Sequence, residues 1–205
     1  MFMFIPGENR KKLIRQPEQF RIVHREVVHH GLPMYFVEQE PQIRPTKWCL
    51  GDHGRDYVLS HPRMLFGIRF LRGAYQNLFA VYLKAPFTGP ETPLFQTILP
   101  NTADTGWVCL GDESTKDQVM AETYTAEGWP AKIEIVLDWF WNRTAWNDHV
   151  IHRFRDRAPR IHPNLRNLLT WERATRQDPN FVFRCGWQPL GTLESWIRRI
   201  NEEEL

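Results

Sequence analysis

The chain has 205 residues, 42% of them hydrophobic and 24% charged, with 27 aromatic side chains (13 Phe, 9 Trp and 5 Tyr). That is enough apolar surface to offset the ordering entropy of one buried core, and it excludes wholesale disorder. Its 26 Lys and Arg stand against 24 Asp and Glu, too even a balance to argue from total charge for a nucleic-acid or membrane partner.

In chain order, Met1-Phe2-Met3-Phe4 runs into Pro6 and the charges from Glu8 to Lys12 without a signal-peptide core. No later run approaches the roughly 20 apolar residues that span a bilayer. Cys49, Cys109 and Cys185, 60 and 76 residues apart, cannot all pair within one chain, which excludes a disulfide scaffold, so a cytoplasmic chain with reduced thiols is expected. Glu8 to Gln16 carries Arg10, Lys11, Lys12 and Arg15 around Leu13 and Ile14 and stops at Pro17, the pattern of a short basic helix.

Between Val23 and Ile98 the apolar residues alternate as strands do: Met34 to Val37, Tyr57 to Leu59, then Phe66, Ile68 and Phe70, then Phe79, Val81 and Leu83, then Phe95 to Ile98. Gly73 and Asn77 punctuate two of these runs, and Pro86, Gly89, Pro90 and Pro93 fill the gap before the last. The pattern predicts an antiparallel meander of about four strands.

After Cys109 the character changes. Trp129-Pro130 opens a helix with Ile133, Val136, Leu137, Phe140 and Trp141 on one face. Near the end Thr192 caps a helix carrying the stripe Leu193, Trp196, Ile197 and Ile200. Strands first and helices later is an α+β order. The expected organisation is an N-terminal extension over 1–60 with the basic segment and first strands, a core over 61–145, and a basic helical extension over 146–205 packed on it.

The stretch that carries chemistry is Ile98-Leu99-Pro100-Asn101, followed through Asp104 and Gly106 by Val108-Cys109-Leu110-Gly111. It resembles the ubiquitin-conjugating enzyme family, whose signature is a His-Pro-Asn turn with the catalytic cysteine eight residues after the Asn, in a Gly-x-x-Cys-Leu setting. Pro90-x-x-Pro93-x-Phe95-x-Thr97 is similar to that family's proline-rich segment. Trp129-Pro130-Ala131 is similar to its Trp-x-Pro-Ala helix start, so the resemblance covers about residues 65 to 142. Leu99 departs from the family His, the interval from Cys109 to Trp129 is long, and the first 60 residues have no counterpart. This points to a divergent prokaryotic, bacterial branch of the kind found beside activating-enzyme, ubiquitin-like and deubiquitinase-like genes. The literal tripeptide His162-Pro163-Asn164 has Glu172 eight residues on and reads as a decoy turn.

The resemblance implies a thioester carrier with the UBC fold, which accepts a ubiquitin-like protein from an activating enzyme and passes it to an acceptor protein. Cys109 is its thiol, since cysteine alone is both nucleophile and competent leaving group at neutral pH. Asn101 is assigned the oxyanion donor, with a turn-forming role as the alternative. Asp112, and less favourably Asp104, would orient or deprotonate an incoming amine, with a loop carboxylate in water as the commoner alternative for each. Lys11, Lys12 and Arg15 resemble the basic first helix with which family members meet the activating enzyme.

No cofactor and no metal is expected. Cys49 with His53, and His29-His30, lack a second matched pair of ligands, and no phosphate-cradling glycine loop or Gly-x-Ser-x-Gly elbow occurs. Any ATP use belongs to the partner. The alternative is a non-catalytic UBC-fold module that binds a ubiquitin-like protein or a partner. A third reading, nucleic-acid binding, rests on residues 149–176, where seven Arg oppose Asp156 and Glu172 with Phe154 and Trp171 interleaved. A solvated helical face is the commoner meaning of that pattern.

Overall fold

The structure is a computed structural model that describes residues 19–28, 31–50, 53–99, 101–144 and 151–202. The basic segment with Lys11, Lys12 and Arg15, and the pair His29-His30, lie outside the described residues. The strands are β1 (Arg21–Val28), β2 (Leu32–Gln39), β3 (Gln42–Leu50), β4 (His53–His61), β5 (Arg63–Leu71), β6 (Ala74–Leu83), β7 (Pro93–Phe95), β8 (Trp107–Val108) and β9 (Pro189–Thr192). The α-helices are α1 (Glu113–Thr125), α2 (Gly128–Asp138), α3 (Ile151–Ile161), α4 (Leu168–Gln177) and α5 (Leu193–Glu202).

The class is α+β, but the sheet is larger than the four-stranded meander that alternation predicts. Six strands lie side by side in the order β1-β2-β5-β6-β7-β9, with the short β8 paired to β6 as a seventh, and every recorded pairing is antiparallel. The Tyr57 to Leu59 run belongs to β4, which pairs only with β3 in a separate two-stranded sheet. Asn77 sits inside β6 opposite Arg69, and the turn is made instead by Arg72 (φ +51°) and Gly73 (φ +85°), the two left-handed residues of a tight hairpin. The strand expected over Phe95 to Ile98 ends at Phe95, after which Ile98 and Leu99 turn into the core.

Both faces of the sheet are covered, and the near-continuous apolar runs of β2, β5 and β6 follow from that. On one face Tyr35, Val37, Phe66, Ile68, Leu78, Ala80 and Tyr82 meet α2, α4 and the segments around them. That cluster draws residues from all three expected segments of the chain. On the other, Met34, Phe36, Leu65, Phe79 and Val81 pack on α5 through Leu193, Trp196 and Ile200. The stripe expected on α2 is buried, as is that on α5 except for the partly buried Ile197, and Ser195 N–H donates to Thr192 Oγ1 in the expected cap. The α2 stripe continues through a π-helical turn, Trp139–Arg143, that buries Trp139, Phe140 and Trp141 in succession.

Hydrophobic patterning gives no sign of helix α1. Of its 13 residues only Val119 and Thr123 are buried, so there is no apolar stripe to read. It is held by polar contacts instead: Tyr75 N–H donates to Thr123 Oγ1 at 2.8 Å, and the buried Lys132 ammonium donates to the carbonyls of Thr123, Tyr124 and Gly73, a cation placed on helix-terminal carbonyls.

Two polar groups inside the fold respond to acid. Burial, with the Arg44 charge nearby, holds His61 down from 6.5 to about 3. It packs between Trp141 and Trp171 and shares a hydrogen bond with Thr46 Oγ1. For Glu38, burial pushes the carboxyl up, but hydrogen bonds from Arg21, the Phe87 amide and Arg63 outweigh it and lower the pKa.

Candidate functional site

Residues 101–109 form a narrow hairpin attached to β6. Thr102 bridges Val108, Ala103 N–H donates to the Trp107 carbonyl at 2.7 Å, and Cys109 N–H donates to the Asn101 carbonyl at 2.8 Å. On the outer side β8 pairs with Leu78 and Phe79, and Ala80 N–H donates to the Gly106 carbonyl at 2.8 Å. The eight-residue interval between Asn101 and Cys109 is thus the span of a hairpin that returns the cysteine to the asparagine.

Three residue types make this loop fold. Asn101 has φ +58°, a left-handed conformation that asparagine tolerates better than other non-glycine residues. Gly106 has φ +90°, and a Cβ there would meet the Ala80 carbonyl oxygen at 2.9 Å, so only glycine lets the hairpin lie this close to β6. Leu99 is 2% exposed within the main core. It anchors the entry to the turn by apolar packing.

The hairpin tip is fixed from three other elements. Trp196 Nε1–H of α5 donates to the Thr105 carbonyl at 2.6 Å, Gln96 Nε2–H to the Asp104 carbonyl at 3.3 Å, and Arg157 of α3 pairs with the Asp104 carboxylate at 2.7 Å. Asp104 therefore has a structural partner, whose pKa that hydrogen bond raises. Arg157, one of the basic residues behind the nucleic-acid reading, is engaged by the same pair.

Beyond the hairpin, Leu110 is buried and its carbonyl accepts the Thr144 hydroxyl at 3.2 Å, while Cys109 is half-buried with its Sγ–H donating to the Gly111 carbonyl at 3.3 Å. Burial, and then the neighbouring Cys109, push the Tyr75 hydroxyl above its ordinary range, so this phenol stays protonated beside the thiol. Gly111 has φ +150°, where a Cβ would meet Thr115 Oγ1 at 2.7 Å. Asp112 is the N-cap of α1: its Oδ1 accepts the Thr115 amide at 2.9 Å and the Thr115 hydroxyl at 2.8 Å. Those bonds lower its pKa, which makes it a weak proton acceptor.

The other residues singled out by the motifs separate from this site by the same criteria of exposure and partners. Cys185 is buried, donates to the Phe181 carbonyl at 3.5 Å, and burial pushes its thiol up to about 12, the environment of an inert structural cysteine. The side chains of Cys49 and His53 lie outside the described residues. Among the described residues no three His, Cys, Asp or Glu side chains converge as metal ligands, and no helix is long and apolar enough to cross a membrane. His162-Pro163-Asn164 starts a 3-10 turn in which Asn164 N–H donates to His162 Nδ1 at 3.2 Å. Phe154 and Trp171 are buried and stack on each other with centroids 6.2 Å apart, so neither offers a platform to a base.

The supports of the hairpin carry no local signal: Trp196, Arg157 and Thr115 lie far from the motif in the chain or look like ordinary packing and surface residues. A cavity of about 620 Å³ between β1 and α5, lined by His24, Glu26, Pro90, Ile197 and Asn201 among others, shares no residue with the hairpin.

Compared with protein-family models, with curated proteins and with solved structures, the chain matches none. The likeness to ubiquitin-conjugating enzymes therefore rests on the motif residues themselves.

Proposed function

We propose that the protein is a cysteine-thioester carrier of the ubiquitin-conjugating type, with Cys109 as the residue that accepts a ubiquitin-like protein. The single observation that carries the reading is the hairpin: a half-buried thiol is held by a 2.8 Å backbone bond beside Asn101, at the surface end of a rigid loop. Among the cysteines whose side chains are described, the alternative, Cys185, is buried.

Charging is a transthioesterification. The Cys109 thiolate attacks the carbonyl carbon of the activating enzyme's thioester, the new S–C bond forms, and the donor sulfur leaves as a thiolate. In discharge a neutral amine nitrogen attacks the same carbon, the C–N bond forms, the C–S bond breaks, and the proton lost from nitrogen ends on the departing Cys109 sulfur, so each step passes through a tetrahedral oxyanion. Asn101 is the donor assigned to that oxyanion. Asp112, already bound to Thr115, acts through the loop as a positioning residue rather than as the base.

The second reading, a UBC-fold module that binds a ubiquitin-like protein without catalysis, is favoured by one feature: Leu99 packs where the family's His would hydrogen-bond. A charging assay decides between them. Full-length protein, an activating enzyme already shown to be charged, its ubiquitin-like protein and ATP are run on reducing and non-reducing gels. A reductant-sensitive adduct that disappears in Cys109→Ala and persists in Cys49→Ala and Cys185→Ala supports the carrier. No adduct, with binding retained, moves the assignment to the module.

A further inference from the structure

Helix α4 lies along the outer edge of β4 and satisfies it with side chains. Val58 N–H donates to Glu172 Oε1 at 3.1 Å, Ser60 N–H to Thr175 Oγ1 at 3.0 Å, and Trp171 Nε1–H to the Ser60 carbonyl at 3.1 Å. An edge strand that could pair with another chain is thereby closed, and the helix is held rigidly against the β3–β4 hairpin. Its opposite face then has nothing packed on it among the described residues: Leu169, Arg173 and Arg176 are exposed, as is Arg166 just before the helix.

Exposed aliphatic residues gather at this place. Leu169 is 53% exposed, and on the outward face of the hairpin Ile43 is 52% and Val58 40% exposed. Pro45 lies opposite Val58 and Ile43 opposite Ser60, which makes Ile43 and Val58 diagonal neighbours on one face. Val58 touches α4 through the hydrogen bond from its amide to Glu172, one helical turn from Leu169. Three of the large hydrophobic residues that the fold leaves in solvent thus share one surface.

Positive charge predominates around them. Arg166, Arg173 and Arg176 are exposed on or beside the outer face of α4, and Glu172, 8% exposed, is bridged by Arg176 and by Arg55, whose guanidinium lies over the Tyr57 ring. Lys47 and Asp56 face each other across the hairpin and cancel, so four arginines and one lysine against two carboxylates leave three net positive charges. An aliphatic centre with an arginine rim is the composition of a protein interface. A single-stranded nucleic acid asks for exposed aromatic platforms, and here Tyr57 and Trp171 are buried.

We propose that the outer face of α4 and the outward face of the β3–β4 hairpin form a docking surface for a protein partner whose own face is acidic around an apolar centre. Arg166 and Arg173 meet its carboxylates, and Leu169, with Val58 and Ile43, meets its apolar residues. No residue of this surface belongs to the Cys109 hairpin, so the inference stands apart from the thiol chemistry.

The test uses full-length protein and a fluorescein-labelled random copolymer of glutamate and leucine as the acidic, apolar probe, with oligothymidylate as the competing class. Anisotropy titrations at low salt are expected to give copolymer binding that weakens about tenfold or more in Arg166→Glu/Arg173→Glu and about threefold in the charge-neutral Leu169→Ser. Arg198→Glu/Arg199→Glu on α5 changes net charge equally and is expected to leave binding unchanged. Far-UV circular dichroism and melting verify that each variant folds. Equal loss in the two charge-reversal pairs, an unaffected Leu169→Ser, no binding by the parent protein, or tighter oligothymidylate binding lost in the same variants each overturns the proposal.

Discussion

Of the Pro-Asn pairs that precede a cysteine in this chain, the two that most resemble the family's turn end in opposite environments. At residues 99–109 Leu99 is sunk in the core, Asn101 turns left-handed, and a glycine-containing hairpin returns Cys109 to a half-buried position beside it. At His162-Pro163-Asn164 the chain makes one 3-10 turn, caps it with the His162 ring, and passes on to α4, while Cys185 lies buried with its thiol pushed up to about 12. The tripeptide with the literal family spelling lies in a 3-10 turn and leads to no exposed thiol. What separates them is the residues that follow: Gly106 permits a hairpin against β6, whereas Asn167 and Thr170 form a capping box and start a helix.

The comparison breaks most directly at the thiols. Cys109→Ala is expected to abolish the reductant-sensitive adduct and Cys185→Ala to keep it, and an adduct that follows Cys185 on non-reducing gels would invert the assignment. Next come the asparagines. Asn101→Gly keeps the left-handed backbone at no steric cost and removes the side-chain amide, so single-turnover discharge by the folded variant is expected to slow by roughly 10²- to 10³-fold. Asn164→Gly is expected to discharge at the parent rate. Equal discharge by Asn101→Gly and the parent protein would leave Asn101 a purely turn-forming residue.

The glycines sharpen the contrast in stability. At Gly106 an added Cβ meets backbone oxygen at φ +90°, whereas at Gly186, beside Cys185, it meets the Ile161 carbonyl at an ordinary 3.5 Å. Gly106→Ala is expected to cost about 2 kcal/mol in urea denaturation, and Gly186→Ala much less. A smaller loss at Gly106 than at Gly186 would remove the claim that the hairpin is held tightly against β6.

The smallest effect is a pH dependence confined to the α4 side. His61, against Trp171, stays neutral in the fold down to about 3, while the unfolded chain takes up a proton near 6.5. The unfolded state therefore binds more protons between those values. His61's contribution is fully present above 6.5 and is lost on acidification, at up to about 1.4 kcal/mol per pH unit. Denaturation of the parent and of His61→Gln at pH 7 and pH 5.5 tests this: the parent is expected to lose more stability than the variant, and parallel losses would refute it.

Much of the scaffold was legible. The apolar residues of Met34 to Val37 and Phe66 to Phe70, and the 3.6-residue stripe from Ile133 to Trp141, each mark buried elements, although the two strands are buried on both faces and not on the single face that alternation expects. The missed elements have identifiable reasons. Helix α1 buries two residues and is held by Thr123 and Lys132, so hydrophobic periodicity does not register it. Strand β9 has four residues, including Gly191, and pairs with a strand nearly a hundred positions earlier. The β3–β4 hairpin alternates like any member of the main sheet, and only its partners reveal a separate sheet.

The sequence by itself determined the α+β class, the residues of the candidate site and their eight-residue interval, because local spacing and residue chemistry are properties of the chain. The tertiary structure decided that the interval closes as a hairpin, that Cys109 is half-buried where Cys185 is fully buried, and that Asp104 and Asp112 already have partners. Burial and hydrogen bonding join residues such as Trp196 and Thr105, 91 positions apart, and no local pattern encodes which distant groups will meet.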